Sequence, residues 1–298
     1  MKRVLLILWL ILFCGQVAFS QSAPLAGKPF PTIKILSWNI YMLPPLIKFT
    51  DKKDRAKQIG HLLKCADYDV LVLQETFHPK ARRIIIDSLK SVFPYIIEPP
   101  TTDKITLKTS SGITILSKHK MRLLGTTTYT DKEGFDNKMA RKGATMVEIE
   151  QDGFKYHVIG THLNAGGPGY VRVAQVQQIK NDLLNKFSNP ETLLFIAGDF
   201  NIDRYAEKED YTKTLEILGL SPENNTINTD KLALNPTFEG IPLTYPGDRI
   251  DFIFVKNNSV HAVLFLETPK ISSDWQNGHT ELSDHNPVSC TFFWKSPY

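Results

Sequence analysis

Cysteine is scarce in this chain, with three in 298 residues, and none lies at the paired spacing of a zinc site. Cys65 falls in a helical pattern and Cys290 in a strand pattern, contexts that favour free thiols over a bridge between them. Net charge is also small. Lys and Arg number 35 against 31 Asp and Glu, a formal +4. Two of those cations, Lys2 and Arg3, belong to a first stretch of twenty residues without an acid, and setting them aside leaves a surplus of two. Overall charge therefore asks for no nucleic-acid partner. The sequence has no internal repeat, no low-complexity tract and no apolar run of the ~20 residues that a bilayer-spanning helix needs.

The longest apolar run, residues 4–13, is half that length. It follows Lys2 and Arg3 and precedes the small residues Ala18 and Ser20, just before Gln21. A basic start, an apolar middle and a small-residue cleavage signal are the parts of an export peptide. The reading is a signal peptide over 1–20 and one catalytic domain over 21–298, secreted or periplasmic. Cys14 is not read as a lipoprotein site, because Phe13 stands where a small residue would be needed.

The whole chain is 42% hydrophobic, 22% charged and 10% aromatic, an ordinary globular mixture. Strand-length apolar runs recur at 33–41, 70–74, 112–116, 144–149, 156–161, 193–197, 250–255, 260–266 and 287–293. Helical spacing appears at 54–65, at 79–93 and at 171–187, where Val173, Val176, Ile179, Leu183 and Phe187 share one face. Pro79 suits a helix start, where its missing N–H costs nothing. Helices interspersed among strands predict one α+β domain of two packed sheets with outer helices.

Five segments carry polar residues where apolar strands meet loops. They hold Asn39; Glu75; His162 and Asn164; Asp199 and Asn201; and Asp284 with His285. Taken singly, each has a bland reading: a turn-forming Asn, a solvated Glu, a loop Asp. Buried carboxylates and imidazoles are costly without partners, so five together argue for a metal and acid–base site at one sheet edge. The remaining histidines and the Arg82-Arg83 pair read as surface or packing. Gly166-Gly167-Pro168-Gly169 reads as a flexible connection beside the site rather than an anion cradle.

The series Trp38-Asn39, Gln74-Glu75, Thr161-His162, Gly198-Asp199-Phe200-Asn201, Arg249-Ile250-Asp251-Phe252 and Ser283-Asp284-His285 resembles the endonuclease/exonuclease/phosphatase superfamily, the deoxyribonuclease fold. The resemblance runs from about residue 32 to 294. It implies a four-layer αββα sandwich and Mg²⁺-dependent phosphate-ester cleavage, with Mn²⁺ or Co²⁺ as substitutes. Asn39-Ile40-Tyr41-Met42-Leu43-Pro44, Arg141-Lys142-Gly143 and the His162 segment look most like bacterial secreted sphingomyelinases. That likeness implies sphingomyelin as the phospholipid substrate, with ceramide and phosphocholine as products, and a monomer. In those enzymes a long aromatic hairpin before Ser-Asp-His touches the membrane. The corresponding interval here, 269–282, is short and has Trp275 as its sole aromatic, so membrane contact is expected to be transient and weak.

On this resemblance Glu75 is the first metal ligand, with Asn39 beside it through its amide oxygen, and Asp284 either completes the metal site or tunes its neighbour. Hard oxygen donors of this kind suit Mg²⁺. His285 is the general base. Asp251 is the carboxylate that orients it, with Asp248 as the alternative. Asp199 orients water, and Asn201 donates amide N–H to a phosphoryl oxygen. His162 bonds the phosphate or, if charged, protonates the leaving alkoxide. Other readings are an extracellular nuclease, a sugar or inositol phosphate phosphatase, and a catalytically dead binding protein. The completeness of the residue set speaks against the last.

Overall fold

The structure is a computed structural model, and it describes residues 31–45, 51–100, 109–220, 249–256, 262–267, 272–276 and 279–294. The expected export segment 1–20 and Asp248 lie outside the described residues.

Two sheets stack face to face. The first has six strands in the order β10 (Ala262–Glu267), β13 (Val288–Trp294), β1 (Ile33–Asn39), β2 (Val70–Gln74), β4 (Thr114–Ser117), β3 (Tyr95–Ile97). The second has five in sequence order: β5 (Lys120–Thr128), β6 (Gly143–Gln151), β7 (Phe154–His162), β8 (Leu194–Asp199) and β9 (Asp251–Lys256). β11 (Ser272–Gln276) and β12 (His279–Glu281) form a separate hairpin.

Alternation along the strands makes the layers. Ile33, Ile35, Val70, Val72 and Ile115 face Val147, Val158, Phe195 and Ile253 across the middle, all buried in one cluster. The opposite faces of the same strands turn outward. Leu36, Trp38, Leu71 and Leu73 pack under Ala56, Ile59 and Leu63 of α1 (Lys52–Cys65) and under Ala81, Ile85 and Leu89 of α2 (Pro79–Leu89). Met146, Ile159, Leu194 and Ile196 pack under α4 (Gly169–Ile179) and α6 (Lys208–Leu218). α4 continues through a π-helical turn, Lys180–Leu184, into α5 (Asn185–Phe187). A short α3 (Phe135–Met139) lies between β5 and β6. Burying a side chain of this kind is worth about 1.5–3 kcal/mol, so each sheet is held on both faces. The result is the expected αββα sandwich.

Boundaries moved in places. β1 stops at Asn39 rather than 41, because Tyr41 takes a positive φ of 52°. The second helix ends at Leu89 rather than 93. Cys65 is exposed and Cys290 buried, and both are free thiols.

Candidate active site

Strand register assembles half of the site before any side chain is considered. β7 and β8 run parallel with His162 opposite Asp199, and β9 pairs antiparallel to β8 with Asp251 opposite Asp199. Three neighbouring strands thus present His162, Asp199 and Asp251 as one row at their ends. In the other sheet β1 and β2 run parallel with Asn39 opposite Gln74, so Glu75 emerges beside Asn39. Gly198 permits the close approach of β7 and β8: a Cβ there would stand 2.0 Å from the carbonyl oxygen of Thr161.

The backbone then turns sharply. Tyr41, Glu75 and Asn201 have φ of 52°, 56° and 51°, in the left-handed region that residues other than Gly seldom enter. Each lies just past the end of β1, β2 or β8. Such strain concentrates at functional sites and must be held by its surroundings. Here the holding bonds are visible. Tyr41 N–H donates to Asn39 Oδ1 at 3.2 Å, and Asn201 N–H donates to Asp199 Oδ1 at 2.9 Å.

Ser283, Asp284 and His285 arrive on the loop before β13 and are tied to β1. Ser283 Oγ donates to the Asn39 carbonyl at 2.6 Å, and Trp38 Nε1 donates to the His285 carbonyl at 2.8 Å. Arg55, fully buried on α1, clamps the same region. Its guanidinium donates to the carbonyls of Ile40 at 3.1 Å, Tyr41 at 2.6 Å and Leu282 at 2.7 Å.

His285 Nδ1 and Asp251 Oδ2 are 2.7 Å apart. Burial disfavours the imidazolium, but the carboxylates of Asp251, Asp284 and Asp199 outweigh it and raise His285 well above its ordinary value. Asp199 Oδ2 lies 3.8 Å from His285 Nε2 and 3.5 Å from His162 Nε2. That carboxylate therefore stands between the two rings, held from a third side by Asn39 Nδ2 at 3.0 Å.

Two contacts bear on the roles expected of Asn39 and His162. Asn39 turns its amide N–H, not its oxygen, to the centre of the site. The oxygen is engaged by the Tyr41 N–H, though a carbonyl oxygen keeps a second lone pair. His162 is not poised as a charged proton donor. Its Nε2 faces Lys142 Nζ at 2.8 Å, and burial, Lys142 and His285 together hold its pKa well below the ordinary value. A neutral imidazole accepting from an ammonium fits that geometry.

Lys142 escaped attention as a chemical group. It is buried at 5% exposure, and it also donates to the Leu163 carbonyl at 2.9 Å. Its sequence signal was its place in Arg141-Lys142-Gly143 before an alternating strand, which marked the resemblance but no role. Arg55 was missed too, because an Arg on an amphipathic helix reads as solvated. The Gly166-Gly167 turn is a built connection whose carbonyls accept from Arg172 Nη1 at 3.0 and 3.2 Å.

The donor set fits a hard divalent cation. Glu75 Oε2 is buried with no hydrogen-bond partner among the described residues. Burial and the nearby charge of Asp284 push the Glu75 carboxyl up to about 7. Asp284 is itself raised, chiefly by burial. Crowded carboxylates of this kind take a proton or a cation. Ligand atoms of Asp199, Asp251 and His285 also lie within 4.8 Å of one another, but His285 and Asp251 already satisfy each other there.

A family model described as the endonuclease/exonuclease/phosphatase family matches residues 36–285. The chain belongs to this family. Among curated proteins, Sphingomyelinase C 2 of Leptospira interrogans is 26% identical over 86% of this chain and 45% of its own length. Sphingomyelinase C of Listeria ivanovii is 26% identical over 88% of this chain and 87% of its own. The chain thus spans about half the length of the Leptospira relatives and nearly all of the Listeria one. Among solved structures, a mutant of beta toxin from Staphylococcus aureus with bound magnesium ions superposes with a TM-score of 0.69. It is 22% identical and covers 87% of this chain and 99% of its own, which establishes a shared fold. Within this endonuclease/exonuclease/phosphatase framework, the row His162, Asp199, Asp251 and the loop Ser283-Asp284-His285 form one continuous site.

Proposed function

We propose that the protein is an exported, Mg²⁺-dependent phosphodiesterase of sphingomyelinase type that cleaves sphingomyelin to ceramide and phosphocholine. The observation that carries the catalytic part is the 2.7 Å pair of His285 and Asp251, together with the buried, unpartnered Oε2 of Glu75. The sphingomyelinase names of the relatives supply the substrate class. The start of the sequence supplies the export reading.

His285 takes the proton of the attacking water at Nε2, while Asp251 fixes the ring through Nδ1–H and stabilises the imidazolium as it forms. Asp199, gripped by Asn39 and by the Asn201 N–H, orients that water. Asn201, whose Nδ2 is 3.3 Å from the Leu163 carbonyl, has a second amide hydrogen for a phosphoryl oxygen. Lys142 adds a donor on the side where negative charge develops, and neutral His162 holds it by accepting at Nε2. Glu75 and Asp284, with Asn39 alongside, would hold the cation. Mg²⁺ there supplies charge neutralisation of the phosphoryl oxygens.

The test is a substrate panel for the purified protein: sphingomyelin, phosphatidylcholine, DNA and simple phosphate monoesters, each with Mg²⁺ present. Release of phosphocholine from sphingomyelin above all others supports the reading. Preferred cleavage of DNA or a monoester moves the chain to another branch of the same family.

A further inference from the structure

Asn164 lies two residues after His162 and is fully buried, yet no step of the chemistry falls to its side chain. Its Oδ1 accepts the Glu133 N–H at 3.1 Å, and its Nδ2 donates to the Gly166 carbonyl at 3.0 Å. The amide is thus engaged by neighbouring loops.

The peptide that joins Leu163 to Asn164 is held at both ends. The Leu163 carbonyl accepts from Lys142 Nζ at 2.9 Å and from Asn201 Nδ2 at 3.3 Å, one donor for each lone pair. The Asn164 N–H, at the other end of the same peptide, donates to Gln175 Oε1 at 2.8 Å. A peptide unit is planar, so this N–H cannot turn without swinging the carbonyl. Gln175 therefore fixes the direction in which the Leu163 carbonyl points.

The anchor is itself firmly set. Gln175 is fully buried on α4, one position before Val176 in the core beneath the second sheet. Its Nε2 donates to the Asp131 carbonyl at 2.6 Å. A backbone N–H only donates and a backbone carbonyl only accepts, so these two partners leave the amide one orientation. Reversed, it would face donor with donor and acceptor with acceptor.

We propose that Gln175 is a positioning residue for the reaction. By holding the Leu163–Asn164 peptide it sets the placement of Lys142 and Asn201 against the phosphoryl group. This rests on the phosphoester reading and on the roles given above to those two side chains, and the identity of the lipid does not enter. Reacting groups must be held to within about 0.5 Å of their productive place, and a displacement of about 1 Å can cost about 10²-fold in rate.

The experiment is a double-mutant cycle read in kcat and KM, on sphingomyelin or, if the substrate panel favours another phosphoester, on that ester. Gln175→Met has a similar size and no amide. It should lower kcat about tenfold or more with KM little changed, because the groups it positions act in the transition state. The same change should cost less in Lys142→Met and Asn201→Ala backgrounds than in the wild type, because residues that act as one unit are not additive. Gln175→Glu keeps an acceptor for the Asn164 N–H and gives up only the bond to Asp131. It should retain more turnover than Gln175→Met, and it carries the comparison if that variant does not fold. Hydrogen exchange of the Asn164 amide, which needs no turnover, should quicken in Gln175→Met. Wild-type kcat or an unchanged Asn164 exchange rate in folded Gln175→Met overturns the proposal. So does a loss undiminished in both backgrounds, which would make Gln175 merely structural, or an equal loss in Gln175→Glu, which would assign the effect to Asp131. Cleavage of DNA or a monoester in place of sphingomyelin, with the cycle as expected, sinks the substrate reading and leaves the role of Gln175 standing.

Discussion

Lys142 Nζ lies 2.8 Å from Nε2 of His162, with both side chains buried. An ammonium has only donors, so the ring nitrogen facing it must accept, and the imidazole is held neutral. The pair puts one fixed positive charge where the resemblance alone placed a histidine that could be charged.

Removing that charge should be visible in the ring. In Lys142→Met, burial still depresses the His162 pKa, but the cation's share of the depression disappears. NMR titration should therefore show His162 moving up toward its ordinary value, and kcat should fall about 10²-fold, the loss typical of one oriented donor. An unchanged His162 titration in a folded variant would show that Lys142 does not set its state.

The second prediction separates base from orienter. His285→Ala should lower kcat by about 10²-fold or more. Asp251→Asn should act in the same direction, because it removes the anion bonded to Nδ1. Steady-state kinetics at saturating substrate checks both. A silent Asp251→Asn would mean that the ring is oriented by another group.

Arg55 predicts a structural and a chemical effect together. Its three carbonyl partners belong to the loops that carry Asn39 and His285. Arg55→Met would leave buried acceptors unpaired and should cost about 3 kcal/mol in urea unfolding, with kcat lowered in the fraction that stays folded. A variant of wild-type stability and activity would refute the clamp.

His157 gives a pH dependence remote from the site. Burial holds its pKa below the ordinary value despite Glu148 at 3.6 Å. The unfolded chain therefore binds the extra proton first, as pH falls through the ordinary histidine value of about 6.5. Stability from neutral His157 is present above that pH and declines below it. Urea midpoints measured from pH 7.5 to 5.5 should fall, and His157→Gln should fall less steeply.

Much of the fold was legible because its signal is local. β2, β6, β7 and β8 are apolar runs bounded by polar punctuation, and α1 and α4 keep helical spacing. β5 was not legible: Lys120, Arg122, Leu123, Thr126 and Thr128 are exposed along an edge strand and leave no apolar alternation to read. α6 starts with Lys208-Glu209-Asp210 and shows its apolar face, Leu215 and Leu218, only late. At the site, the residue types were readable at the strand ends, whereas the states of His162 and Asn39 depend on partners far away in sequence. Lys142 lies 20 residues from His162, and Asn39 meets Asp199 across 160.

The most direct test of the account is phosphocholine release from sphingomyelin as a function of Mg²⁺, for the wild type and for Glu75→Gln. Wild-type turnover should rise with Mg²⁺ to saturation and vanish in EDTA, while Glu75→Gln should fold normally and need far more Mg²⁺ for any activity. Undiminished hydrolysis by protein shown to be metal-free, or an identical Mg²⁺ response in the variant, would contradict it.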